Sequence, residues 1–163
     1  MTLARDNTAL VSACAEIVRQ YDPDRYLIAL CAPEKARPHL WPLFALNHEI
    51  AKTREVVSET RLGLIRLQWW RDAIGEIYEG KTPPRHEVLI PLADAIDVCA
   101  LPRNLFETLI YAREFDLEDV QPASLDGLET YARNTSSPLM EMTAQIDQIF
   151  RHDGEPCAPS NPN

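Results

Sequence analysis

The chain has 163 residues, of which 45% are hydrophobic and only 5 are glycine, and its formal net charge is −9. This length suffices for one domain with a substantial core. The charge argues against nucleic acid or an anionic membrane as the main partner, because both would repel an acidic chain, but it allows a small anion in a locally basic pocket.

The four cysteines, at positions 14, 31, 99 and 157, form no CxxC pair and no zinc spacing. They are therefore expected to be free thiols in a reducing compartment. The N-terminus lacks the pattern of a signal peptide, and no uncharged apolar run reaches the roughly 18 residues of a transmembrane helix. These features predict a cytoplasmic protein, peripheral to a membrane at most.

Apolar residues recur with a helical period from the start of the chain, and no strand alternation is present. A first helix is predicted over residues 7–21, with Asn7 or Thr8 as its cap. A short second helix follows the break at 22–24 and ends before Pro33.

The next two predicted helices are longer. One runs from about Pro38 to about Val57, and Pro42 is tolerated only near its start. The other covers residues 60–79 and has the strongest amphipathic pattern, with Gly80 as a natural stop.

The second half of the chain predicts further helices over 101–118, from Ser124 and from Pro138. The sequence thus favours an all-α fold, a bundle of antiparallel helices in a single domain over residues 1–150. The remaining segment, 151–163, is rich in proline and nearly free of apolar residues, so it is predicted to be disordered.

Two neighbouring predicted helices place polar side chains among apolar ones. Asn47 and Arg54 fall on the apolar face of the third helix, and Arg66 falls in the middle of the apolar arc of the fourth. A charged residue there must be paired or must line a cavity. Two interpretations stay open: an ion pair with Glu49 or Glu55 that only fixes packing, or a basic pocket for an anion such as a phosphate.

Other chemical signals are weaker. The acidic stretch 116–119, followed by Asp126 and Glu129, is typical of a solvated surface, and its alternative is a Mg²⁺ site. The four histidines form no HExxH motif, so no metal is assigned to them.

Four segments, in chain order, resemble the squalene/phytoene synthase family: "RYLIALCAPEKARPHLWPLFAL", "LIRLQWWRDAIGEIYEG", "LPRNLFETLIYAREFDLED" and "LETYARNTSSPLMEM". The resemblance covers about residues 22–150. "FALNHEIA" and "IRLQWWRDAI" are most similar to a divergent subgroup that includes the mitochondrial complex I assembly factor 6. The resemblance implies the N-terminal part of the isoprenoid-synthase helical bundle. Catalytic members of the family join two prenyl diphosphates head to head, and two aspartate-rich motifs hold their Mg²⁺.

The resemblance places the first aspartate-rich motif on Ala51, Lys52 and Glu55, so two of its aspartates are lost. Ala51 offers no ligand oxygen, and Lys52 puts a positive charge where Mg²⁺ would bind. The second motif is expected beyond residue 150 and is absent from the tail. Together, the resemblance and the polar faces assign substrate or ligand binding to Arg25, Phe44, Asn47, His48, Lys52, Arg54, Arg66 and Tyr131.

The main functional hypothesis is a non-catalytic family member without a cofactor, acting as a ligand-binding or assembly-type protein. Its ligand would be a prenyl diphosphate or a related anion. The alternatives are a Mg²⁺-dependent farnesyl or geranylgeranyl transferase and a helical protein-interaction module. Because the family's cavity closes with helices from both halves, the Trp69/Trp70 face is expected to be open to water and to bind a second copy or another protein.

Overall fold

The computed structural model describes residues 2–118 and 122–152. Every regular element in these two ranges is helical, which confirms the predicted all-α bundle. The helices are α1 (Thr2–Tyr21), α2 (Pro23–Cys31), α3 (Arg37–Ala51), α4 (Thr53–Val56), α5 (Thr60–Tyr78), α6 (Leu89–Cys99), α7 (Arg103–Glu114), a 3₁₀ turn (Phe115–Leu117) and α8 (Leu125–His152). None of them is long and apolar enough to cross a membrane.

Helix α3 is the centre of the bundle. It packs against α1, α2, α6 and α8, while α5 packs on α7 and α7 packs on α8. Every residue from Leu40 to Asn47 is buried, since this stretch is apolar on all sides of the helix. Helix α3 therefore runs through the core, and its residues after Asn47 lead from the core to one end of the bundle.

Three predicted boundaries are wrong. Helix α1 begins at Thr2, so Asn7 and Thr8 lie inside it and do not cap it. The helix predicted to reach Val57 breaks at Lys52, which separates α3 from the short α4. The helices predicted from Ser124 and from Pro138 form the single helix α8, which contains Pro138.

Helix α8 has two halves with different surroundings. Most residues of 125–134 are exposed, including Leu125 at 72%. From Thr135 onward the helix packs on the bundle and buries Leu139, Met142 and Ile146, which share one face. The predicted tail, 151–163, lies outside the described residues from position 153 onward.

Helix α5 ends where the sequence predicted. Gly80 adopts a φ of +73°, a backbone conformation that glycine accepts readily. The N–H groups of Gly80 and Lys81 then donate hydrogen bonds to the carbonyl oxygens of Ile77 and Glu76, each at 3.0 Å. These bonds satisfy carbonyl groups of the last helical turn.

Candidate functional site

A buried carboxylate at the C-terminal end of α3 is the centre of the candidate site. The Glu49 side chain is 8% exposed. Its Oε1 accepts a hydrogen bond from Nζ of Lys52, one helical turn along the chain. Its Oε2 accepts a hydrogen bond from Nη2 of Arg66, on α5, at 3.0 Å. The predicted ion pair of Arg66 is therefore confirmed with Glu49, whereas Glu55 is exposed. We call Glu49, Lys52 and Arg66 the Glu49 network.

His86 lies beside the Glu49 network, in the segment between α5 and α6. Its ring lies 4.9 Å from the ring of Trp70 and 5.7 Å from that of Trp69, centroid to centroid. Its Nδ1 accepts the backbone N–H of Val88 at 3.2 Å, so the neutral ring carries its proton on Nε2. Burial lowers the pKa of His86, and the negative charge of Glu49 opposes that shift. No sequence motif identifies His86 as part of a site.

Four buried polar atoms on α3 and α5 have no hydrogen-bond partner among the described residues: Nδ1 of His39, Oδ1 of Asn47, Nε of Arg66 and Nε1 of Trp70. Arg66 and Trp70 are four residues apart and so lie on the same face of α5. The free N–H of the Arg66 guanidinium and the indole N–H of Trp70 are donors of the kind that bind an anion such as a carboxylate or phosphate. The prediction that Asn47 faces the interior is confirmed, since it is 4% exposed.

The residues that the resemblance places at the first aspartate-rich motif do not fit Mg²⁺. Ala51 has no side-chain oxygen, and the ammonium group of Lys52 is bonded to Glu49. A hard cation needs several converging oxygen ligands, which Glu55 alone cannot supply. In the parts of the chain that the structure describes, no three His, Cys, Asp or Glu side chains are grouped so that they could hold a metal ion.

The acidic stretch is also engaged within the protein. Oδ1 of Asp116 accepts the hydroxyl of Tyr131 at 2.5 Å, and its Oδ2 accepts Nη1 of Arg113 at 3.2 Å. Burial and the hydrogen bond to Asp116 raise the pKa of Tyr131. The ring of Tyr131 lies 5.6 Å from that of Phe115, and both line a pocket of about 490 Å³ between α7 and α8. Asp119 lies outside the described residues.

A second polar group lies where α1, α2 and α3 meet. The ring of His48 stacks on Tyr21 at 4.5 Å. Burial and the nearby charge of Lys52 lower the pKa of His48, and the negative charges of Glu49, Glu55 and Asp22 oppose that shift. Arg25 forms an ion pair with Asp22 at the start of α2.

The remaining predicted residues lie elsewhere. Phe44 is 1% exposed and belongs to the core. Arg54 is exposed, so the prediction that it faces the interior is wrong. The reason is the break at Lys52, which ends the helical register that would have placed Arg54 on the same face as Asn47.

The predicted Trp69/Trp70 face needs a correction as well. Trp70 is buried, at 1% exposure, and only Trp69 is open to water, at 41%. On one side of α5, at spacings of three and four residues, Trp69 is joined by Leu62 and Ile65, which are 48% and 58% exposed. We call these three residues the α5 face.

Comparisons with known proteins agree with this architecture. The squalene/phytoene synthase family matches residues 18–155. The chain is 35% identical over 133 residues to the bovine NADH dehydrogenase (ubiquinone) complex I, assembly factor 6, and 34% identical to the human protein of that name. Each match covers 82% of this chain and 40% of the relative, so the chain spans well under half the length of these proteins. A presqualene diphosphate synthase of Rhodopseudomonas palustris is 29% identical over 89 residues, which are 54% of this chain and 31% of that enzyme.

Two solved structures share the fold at low identity. A dehydrosqualene synthase aligns with a TM-score of 0.75 at 15% identity, over 87% of this chain and 48% of the synthase. A squalene synthase of Alicyclobacillus acidocaldarius aligns with a TM-score of 0.74 at 19% identity, over 86% and 52% of the two chains. The sequence match over most of the chain and the shared helical bundle lead to one conclusion: the chain belongs to the squalene/phytoene synthase family.

Proposed function

We propose that this chain is a non-catalytic member of the family and acts as an assembly-type protein. The observation that supports this most directly is the Glu49 network. At the position of the first aspartate-rich motif, the chain carries an ammonium group bonded to its own buried carboxylate. A site neutralised in this way needs no metal, and it lacks the oxygen ligands with which Mg²⁺ would activate a diphosphate leaving group.

The relatives named assembly factors suggest the kind of partner. By analogy with them, the partner would be a protein of NADH dehydrogenase complex I. We place the contact on the α5 face, because an exposed tryptophan flanked by two exposed aliphatic residues is typical of a protein-binding surface. The chain would then be a cytoplasmic protein that works at the periphery of a membrane complex.

An anionic ligand is the second part of the proposal. The unpartnered N–H donors of Arg66 and Trp70, beside Lys52, favour a phosphate or prenyl diphosphate bound without metal. Such a ligand would occupy the site without being converted.

Binding and turnover can be measured together. The purified chain is titrated calorimetrically with farnesyl diphosphate and with geranylgeranyl diphosphate, each with and without Mg²⁺, and the mixtures are analysed for free diphosphate and hydrocarbon. We expect no hydrocarbon and any binding to be independent of Mg²⁺. Arg66→Gln should weaken that binding, while Lys35→Gln, which changes an exposed lysine between α2 and α3, should not.

Formation of a hydrocarbon that depends on Mg²⁺ would contradict the proposal and support a prenyl transferase. The partner role is tested separately, in the host, by the amount of assembled complex I. Trp69→Lys should lower it, whereas Val98→Lys, on the exposed side of α6, should leave it unchanged. Equal effects of the two variants would speak against the α5 face as the contact.

A further inference from the structure

The pocket between α7 and α8 differs in chemical character from the Glu49 network. Its volume of about 490 Å³ is in the range of small-molecule sites. It lies on a different pair of helices from the Glu49 network, which joins α3 and α5. Aromatic rings and carboxylates line it, and no lysine, arginine or histidine is among the described residues of its wall. We call this cavity the α7/α8 pocket.

Three aromatic side chains line the α7/α8 pocket: Tyr111, Phe115 and Tyr131. The rings of Phe115 and Tyr131 are 5.6 Å apart, centroid to centroid, and their planes are inclined at 46°. Tyr111 is 65% exposed, so its ring is free to contact a ligand. The face of an aromatic ring carries partial negative charge and attracts a cation. Several rings around one cavity therefore favour a positively charged ligand.

Asp116 strengthens this preference through the hydroxyl of Tyr131. The hydroxyl donates to Oδ1 of Asp116 at 2.5 Å. A carboxylate acceptor draws on the hydroxyl proton and leaves the phenol ring richer in electrons, which increases the attraction of the ring for a cation. Arg113 balances the charge of Asp116, and neither of these two residues lines the pocket.

Two carboxylates add negative charge to the wall. Glu114 accepts Nη2 of Arg71 at 2.6 Å, so its charge is balanced within the chain. Glu118 is exposed, and it forms no ion pair with any other described residue. A hard metal ion does not suit the pocket, because the described residues group no three side chains that could hold one. The wall thus favours an organic cation.

We propose that the α7/α8 pocket binds a small quaternary ammonium compound, with its trimethylammonium group against the rings of Phe115 and Tyr131 and its charge balanced by Glu118. A primary ammonium group would give up hydrogen bonds to water that aromatic rings do not replace, whereas a trimethylammonium group has no N–H to satisfy. Free choline and the head group of a choline lipid both carry this group. The inference goes beyond the proposed function, since it involves neither the Glu49 network nor the α5 face.

Calorimetric titration of the full chain with choline tests the proposal. The matched ligand is dimethylbutanol, the uncharged alcohol in which a carbon atom replaces the nitrogen of choline. The two compounds have the same shape, so a difference in affinity reports on the charge. We expect choline to bind about tenfold more tightly.

Two variants locate the binding site. Tyr131→Leu should weaken choline binding about tenfold, and Glu118→Gln about threefold. Glu141→Gln removes the same charge from an exposed position of α8 outside the pocket, and it should have no effect. Circular dichroism checks that Tyr131→Leu folds. Glu118→Gln changes an exposed side chain, so it tests the pocket without that concern.

Vesicles of phosphatidylcholine distinguish the two sources of the ligand. Vesicle binding that choline competes with and that Tyr131→Leu abolishes would assign the pocket to a lipid head group, and binding of choline without vesicle binding would assign it to a free compound. Equal binding of choline and dimethylbutanol would overturn the proposal, because the pocket would then select for shape and not for charge. Absence of choline binding would also overturn it. So would choline binding that neither Tyr131→Leu nor Glu118→Gln weakens, because the site would then lie elsewhere.

Discussion

At the scale of single residues, the charge balance of the site depends on Glu49. One buried carboxylate is bonded to two cations that are themselves only partly buried: the side chains of Lys52 and Arg66 are 28% and 35% exposed. Removing one cation and removing the carboxylate should therefore have unequal effects on stability. Removing one cation leaves a neutralised pair, whereas removing the carboxylate leaves two cations without their counter-charge.

This asymmetry can be measured by urea unfolding. Arg66→Met should change the free energy of unfolding by less than about 1 kcal/mol, because Lys52 still neutralises Glu49 and the lost pair is partly solvated. Glu49→Ala should cost about 3 kcal/mol, since it removes the partner of both cations from a buried position. Equal losses in the two variants would show that Lys52 does not compensate for Arg66.

His86 should make stability depend on pH. Burial holds the pKa of His86 in the folded chain below the ordinary histidine value of 6.5. The unfolded chain therefore takes up the proton first as the pH falls, so stability is fully present above that value and is lost below it. Burial also lowers the pKa of His39 and His48.

The contribution of His86 is obtained by difference from His86→Gln. The unfolding free energy of the wild type should fall more steeply than that of the variant between about pH 7 and pH 5. Parallel curves would mean that His86 is equally easy to protonate in the folded and unfolded states.

Sequence reasoning at this scale succeeded where the helical period held. Asn47 lies inside α3, and its burial followed from its spacing among apolar neighbours. Arg54 lies seven residues later, beyond the break at Lys52, and the period no longer applied. His86 lies between two helices, where no period places a side chain, so only the fold brings it to Trp69 and Trp70.

At the scale of elements, α5 shows how much a helical pattern can and cannot predict. Its existence, its end at Gly80 and the burial of Ala73 and Ile74 follow from the spacing of apolar residues. The exposure of Leu62 and Ile65 does not, because it depends on which neighbouring helices are present to cover them. Likewise, nothing local to the sequence showed that α8 continues through Pro138.

Two glycines inside α5 give a matched test of packing. A Cβ atom at Gly75 would lie 3.5 Å from Nη2 of Arg103, which is ordinary contact, whereas one at Gly63 would lie 2.5 Å from Cδ2 of Leu117. Gly75→Ala should therefore stabilise the chain by up to about 1 kcal/mol through helix propensity. Gly63→Ala should lose that gain, because the buried side chain of Leu117 has to move. A larger gain at Gly63 than at Gly75, measured by thermal unfolding, would contradict this packing.

At the scale of the whole molecule, the order of the family's segments predicted the bundle, and the structure confirms it. The sequence did not show that the predicted site residues would fall into separate groups. The pocket lined by Tyr131 lies between α7 and α8, whereas the Glu49 network joins α3 and α5. Sequence order alone gives no distance between them.

The buried thiols report on opening of the whole bundle. Burial raises the pKa of Cys14 to about 12 and that of Cys99 to about 11, so both are unreactive in the folded chain. In Cys157→Ser, Ellman's reagent should modify one thiol, Cys31, at once. The other two should react only at the rate of global unfolding, and both rates should rise together in urea. Fast modification of Cys99 alone would show that the end of α6 opens independently.

Pro138 has a consequence for the motions of α8. Proline has no N–H to donate, so α8 lacks one backbone hydrogen bond at Pro138. Pro138 lies close to the point where the exposed part of the helix meets the part that packs on the bundle. Amide protons of residues 125–134 should accordingly exchange with deuterium quickly and independently of the bundle. Those around Leu139, Met142 and Ile146 should exchange only when the core opens. A single continuous helix would thus contain two cooperative units. A molecule that binds the exposed half could order that half without perturbing the packed half.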